Sequence, residues 1–288
     1  MVYLLALGSA LFYGAADFAG GFTSRRTGAI PVVVLSQFGG LVLLGLLLPL
    51  LPDASPSRND LIWGAVAGLT GGIGVALLYR ALAVGTMAVV APTTAVCAVA
   101  IPVLVSVLLG ERPVPLAIAG IVLGVVSIVL VSQHRSAEAA GHRNPPSPRR
   151  LPPGVGHALV SGVAIGFFFL SLARTEPDAG MWPLLIARGV SVALFGGIAL
   201  AKRQSLRMPG NIAALVIAAG CVDMLANALY VLAARQGPLS IVVTLSSLYP
   251  ASTVLLARIV LREKLSNLQV TGVVCALAAV VLIVSGGK

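Results

Sequence analysis

Long apolar stretches dominate the chain, and polar residues fall in the short breaks between them. Ten such stretches run 2–21, 31–51, 61–83, 87–109, 114–132, 155–173, 182–201, 211–233, 239–261 and 267–285. Each is close to the ~20 residues that an α-helix needs to cross a hydrocarbon core of about 30 Å. A chain in lipid must satisfy its backbone internally, as helices or as a closed barrel. The apolar residues come in runs without strict alternation with polar ones, so the pattern predicts helices and not barrel strands. The first stretch starts at Val2 with no basic region before it, and is expected to be a retained helix rather than a cleaved signal peptide. One segment breaks the rhythm: 133–153, rich in Arg, Pro, Ser and Ala, predicts a polar linker at the middle of the chain.

The two sides of that linker repeat each other. Pro31 and Pro183 stand 152 residues apart, as do Gly14 and Gly166, Gly85 and Gly237, Glu111 and Glu263, and Gly120 and Gly272. Tyr79 and Tyr230 differ by 151, which implies one extra residue after Tyr230. A common offset across five spans predicts a duplicated unit. The expected organisation is a first repeat at 1–132, a linker at 133–153 and a second repeat at 154–288. Because five is odd, the second unit must enter the membrane in the opposite sense. The expected fold is therefore an all-α membrane protein of ten transmembrane helices in two inverted five-helix repeats. Inverted repeats are a transporter signature, since two pseudo-symmetric halves can rock about a site at the midplane.

Three features carry a family resemblance. They are the duplicated units, the paired segments "YRALAVGTMAVVAP" from Tyr79 and "YVLAARQGPLSIVVT" from Tyr230, and the pairs Glu111-Arg112 and Glu263-Lys264 before the last span of each unit. With these the chain resembles the EamA family of the drug/metabolite transporter superfamily over nearly its whole length. The resemblance implies a transporter and leaves the substrate open. Small multidrug members of that superfamily carry a proton-coupling glutamate in the first helix, and overlaying "LGSALFYG" puts its position at Gly14. Asp17 lies almost one turn later, so that residue is not matched.

Composition narrows the reading. The chain is 58% hydrophobic and only 10% charged, too few charges to cover a water-facing surface. The net charge of +10 sits in short loops, where it sets orientation, and no nucleic-acid-binding pattern accompanies it. Loops after odd-numbered spans form side one, and side two holds both termini. The basic residues divide thirteen to five in favour of side one, which puts side one in the cytoplasm; the family resemblance implies the reverse. Cys97, Cys221 and Cys275 all lie in apolar spans and read as small buried hydrophobes. Gly68 with Gly72, and Gly120 with Gly124, have the spacing that lets helices approach closely. Glu111 and Glu263 read as interfacial charges that fix helix depth.

Ionisable groups inside a span are costly and mark candidate sites. Asp223 lies near the middle of the eighth span, with Asn227 and Tyr230 on the same helical face. It reads as a proton- or cation-binding carboxylate, or as a buried Asp held by a neighbouring helix. Arg188, about two turns into the seventh span, suits a substrate carboxylate or phosphate. The alternatives are a structural pair with Asp223 or Asp17, or snorkelling toward the near interface. Asp17, with Tyr13 one turn before it, is the second coupling candidate. Thr93 and Thr94 beside Pro92 in the fourth span, and Ser246, Ser247 and Tyr249 beside Pro250 in the ninth, are expected to line the cavity with Tyr230. Proline there frees backbone carbonyls, so both helices are expected to be interrupted.

Neither metal-spaced His clusters nor a phosphate-binding lysine motif is present, so no cofactor, no metal and no enzymatic activity are expected. The expected protein is a multi-pass inner or plasma membrane secondary transporter. Its expected cargo is a small, amino acid-like metabolite, moved outward and coupled to protons. Its partners are that solute and the bilayer, with monomer and homodimer both open. The alternatives are a multidrug or cationic-compound exporter, and a non-transporting accessory or lipid-carrier helper.

Overall fold

The computed structural model describes residues 1–108, 114–133, 151–236, 242 and 245–285. Ten α-helices form among them: α1 (Val2–Thr27), α2 (Ala29–Leu47), α3 (Arg58–Val84), α4 (Met87–Leu108), α5 (Pro115–Gln133), α6 (Val155–Leu172), α7 (Trp182–Ala201), α8 (Gly210–Gln236), α9 (Tyr249–Val260) and α10 (Asn267–Ser285). No strand occurs among the described residues. Seven helices are long and apolar enough to cross a membrane: α1, α2, α3, α6, α7, α8 and α10. The apolar parts of α4, α5 and α9 are shorter. Large apolar side chains such as Leu46, Val122 and Ile259 face outward, as a lipid solvent permits.

Several helices outrun their apolar cores. α1 continues to Thr27, past the expected end at 21, because Thr23 and Ser24 are buried and Arg25 reaches the carbonyls of Leu82 and Gly85. α3 begins at Arg58 because Ser57 and Asp60 form a capping box that satisfies the first turn. Asp60 also accepts from the Glu176 backbone N–H at 2.8 Å, tying α3 to the loop between α6 and α7.

The expected interruption holds for one proline helix only. Pro92 and Pro102 lie inside an unbroken α4, since a single missing N–H removes one hydrogen bond and need not end a helix. In the ninth span a turn at Ser247 and Leu248 precedes α9, which starts at Tyr249 with Pro250 in its first turn. The linker lies almost entirely outside the described residues, as do Glu111 and Gly237.

Packing runs crosswise between the two halves. α1 lies on α8 and α9, and α6 lies correspondingly on α3 and α4. α2 packs on α8 and α7 on α3, while α5 pairs with α10. Small residues allow the closest approaches. Gly14 of α1 faces the Tyr249 carbonyl of α9, and Gly166 of α6 faces the Ala98 carbonyl of α4. Gly68 and Gly72 meet Ala187 and Ser191 of α7, and Gly220 of α8 meets the Ser36 backbone of α2. Gly120 lies against Ile283 of α10 and Gly124 against Val96 of α4.

Buried hydroxyls staple helices through backbone carbonyls. Ser161 donates to Gly74, Ser191 to Gly68 and Ser127 to Gly272, each at 2.7 Å. On side one, Glu263 in the loop before α10 accepts from the backbone N–H groups of Met87 and Ala88, each at 3.1 Å, and from Arg25 at 3.4 Å.

A candidate substrate site at the middle of the bundle

The polar centre forms where α2 is wedged between α7 and α8. Asp223 is near the middle of α8, Arg188 two turns into α7 and Gln37 at the middle of α2. Arg188 donates through Nη2 to Asp223 Oδ2 and through Nη1 to Gln37 Oε1. The guanidinium thus bridges three helices, and both members of the ion pair are largely buried. Arg188 pairs with Asp223 and not with Asp17.

Asp17 approaches from α1. It lies within electrostatic reach of Asp223, so two carboxylates and one guanidinium share the centre. No hydrogen bond or ion pair holds the Asp17 carboxylate among the described residues. Asp223 is thus occupied by Arg188, whereas the Asp17 carboxylate has no such partner among the described residues.

Aromatic hydroxyls surround these charges. Tyr13 senses Asp223, Arg188, Tyr230 and Asp17, and its ring meets that of Tyr249 edge-on, with centroids 6.2 Å apart. Tyr79 of α3 is buried beside the same three charges and next to Ser36. Asn227 turns its amide to the Asp223 backbone carbonyl at 2.8 Å, one turn back, instead of to the carboxylate. Tyr230 packs among Ala6, Ala233 and Val242.

The hydroxyls expected to line a cavity have other partners. Thr93 donates to Val89 of its own helix at 2.8 Å, Thr94 to Ala158 of α6 at 3.3 Å, and Ser246 to Ala6 of α1 at 3.4 Å. Ser247 stands in the turn before α9. The charged centre is built by α1, α2, α7 and α8, with α3 and α9 adding tyrosines, and α4 and α6 contribute none of these groups. Gln37, Ser36 and Tyr79 were not singled out as site residues in the sequence. The one signal was a polar pair, Ser36-Gln37, inside an apolar span.

Two cavities open at the ends of the bundle. One of about 780 Å³ lies on side one against Arg25, Gly85, Pro153, Glu263 and Lys264. A smaller one of about 290 Å³ lies on side two against Pro52, Asp53 and Asp178. No group of His, Cys, Asp and Glu among the described residues is arranged to hold a metal ion.

No curated protein sequence matches the chain. Nineteen chains of solved structures match. One, described only as the crystal structure of a protein, superposes with a TM-score of 0.60 at 17% identity, covering 98% of this chain and 95% of the other. At that identity the likeness speaks for the fold alone. The sequence profile of the EamA-like transporter family matches twice, at residues 1–133 and again at 152–285. Two copies of that unit make up nearly the whole molecule, and the chain belongs to the EamA-like transporter family.

Proposed function

We propose that the chain is a proton-coupled secondary transporter that exports a small zwitterionic solute, of the size and chemistry of an amino acid, across the cell membrane. Ten helices span the bilayer in this reading, as two five-helix repeats of opposite sense. The crosswise packing supports it: exchanging the halves maps α1 on α8 onto α6 on α3, and α1 on α9 onto α6 on α4.

One observation carries the functional reading. A buried Arg188–Asp223 pair stands beside the unpaired carboxylate of Asp17 at the centre of the bundle. An open carboxylate in an apolar molecule is costly and calls for a functional reason. A zwitterion matches the centre in both signs: its carboxylate suits the Arg188 guanidinium, and its ammonium suits Asp17. With no solute bound, Asp17 takes a proton instead, and that exchange couples the two movements.

The test is export from proteoliposomes under an imposed pH gradient, with labelled amino acids as cargo. Saturable, gradient-dependent movement is the expected result; an inert purified protein removes the reading and leaves the accessory-protein alternative. The Tyr13–Tyr249 pair beside Asp17 favours a second reading, a cationic-compound exporter, through ring-face attraction for cations. Competition by quaternary amines in preference to amino acids decides for it.

A further inference from the structure

Gln37 is only 4% exposed, inside the apolar run Val32-Val33-Val34-Leu35-Ser36-Gln37-Phe38. A buried carboxamide is retained only where its polar atoms find partners. Its Oε1 accepts from Arg188 Nη1, while Asp223 takes Nη2. A guanidinium is a planar fork with fixed donor directions, so two acceptors from different helices fix both its position and its plane.

The two acceptors are chemically unequal. Asp223 carries charge and Gln37 does not. Two carboxylates on Arg188 would leave a net negative charge and repel an incoming anion. Asp223 alone would leave the side chain without a tether whenever that pair opened. A neutral acceptor holds the guanidinium and leaves its charge available. α2 packs against both α7 and α8, which keeps Gln37 beside Arg188 whichever group occupies Nη2.

We infer that Gln37 is a positioning residue, holding Arg188 through Nη1 while Nη2 passes from Asp223 to the carboxylate of an incoming solute. This rests on the zwitterion reading above and adds that a free carboxylate is the required element of the cargo. The exchange replaces one carboxylate by another on the same nitrogen. The released Asp223 carboxylate stays in the same polar centre, where Asp17 and Tyr13 of α1 and Tyr79 of α3 are the other titratable groups. No covalent bond is made or broken in the exchange.

Two variants of the full-length protein in liposomes test it. The probe is a labelled mixture of the twenty common amino acids in counterflow, with their methyl esters as competitors. Wild type is expected to take up the acids and to ignore the esters. Gln37→Met keeps length and bulk but removes the acceptor, and is expected to raise KM about tenfold with kcat within about twofold, the pattern of lost binding. Gln37→Glu keeps the acceptor but adds charge. Its KM relative to wild type is expected to be high at neutral pH and to fall towards one as acid protonates the new carboxyl.

An unchanged KM in Gln37→Met, with only a lower Tm, overturns the inference and leaves the zwitterion reading standing. So does a Gln37→Glu to wild-type ratio that does not move with pH, which decides alone where Gln37→Met fails to fold. Absence of uptake by wild type removes the underlying reading, and the inference falls with it.

Discussion

The carboxylate of Glu263 accepts from the backbone N–H of Met87 at 3.1 Å, so a residue of the second repeat caps the first turn of a helix in the first. Its other oxygen takes Ala88 N–H at 3.1 Å, and Arg25 closes on the first oxygen at 3.4 Å. An anion at a helix N-terminus satisfies orphan donors and meets the positive end of the helix dipole. The contact joins α1, α4 and the loop before α10 along the wall of the side-one cavity.

Glu263→Ala therefore removes a cap and a tie between halves together. The expected loss of stability is about 1–2 kcal/mol, most of it from the cap. The half-exposed Arg25 pair adds less than about 1 kcal/mol. Thermal melting in detergent measures the loss, and Glu263→Gln, which retains one acceptor oxygen, is expected to lose less. A cysteine placed at Thr86 is expected to react faster with a water-soluble thiol reagent in the Ala variant.

The Arg188–Asp223 pair makes a sharper energetic prediction. Removing one partner strands a charge in a largely buried centre, at a cost of about 3–5 kcal/mol. Arg188→Leu alone is expected to fall in that range. The double variant Arg188→Leu/Asp223→Leu is expected to recover much of the loss while remaining inactive. A double-mutant cycle on melting free energies yields the coupling directly. Additive losses would show that the two side chains do not stabilise each other.

How much of this was readable beforehand differs from residue to residue. Hydrophobic runs located the helices, because lipid forces each span to be long, apolar and self-bonded. Gly68 and Gly72 announced a close contact, and the structure supplies Ala187 and Ser191 as its other side. Arg188 and Asp223 stood out because charge inside a span is rare. Which role Arg188 takes, and that Gln37 shares it, depends on how helices far apart in sequence meet. No spacing rule encodes that. Thr93, Thr94 and Ser246 show the converse: a hydroxyl in a span looks the same whether it faces a cavity or a neighbour's carbonyl. The extra turns of α1 and α3 were hidden for another reason, since polar caps and Arg–carbonyl bonds extend a helix beyond its oily core.

Asp17 separates stability from transport. With no hydrogen bond or ion pair among the described residues, its carboxylate has no attractive contact there to lose, so Asp17→Asn is expected to leave Tm unchanged or to raise it. In vesicles the same variant is expected to lose concentrative, pH-gradient-driven movement while solute exchange without a gradient persists. Gradient-driven accumulation at the wild-type level in Asp17→Asn would assign coupling elsewhere.

Glycine substitutions provide a control on packing. A Cβ at Gly220 would meet the Ser36 carbonyl of α2, and Gly220→Ala is expected to cost about 1–3 kcal/mol by forcing the helices apart. Nothing lies within 4 Å of the equivalent point at Gly196 of α7. Gly196→Ala there is expected to be neutral or to add up to about 1 kcal/mol from helix propensity. Melting of the two variants side by side checks both signs.

The Gly220–Ser36 crossing also bears on how such a molecule moves. Where two helices touch main chain to main chain, no knob sits in a hole and nothing must climb out for one rod to glide past the other. Such a crossing acts as a bearing: stiff against compression, smooth along its length. It lies beside Gln37, on the same stretch of α2 that grips Arg188. Glide of α2 along that bearing therefore carries Gln37 past Asp223 of α8.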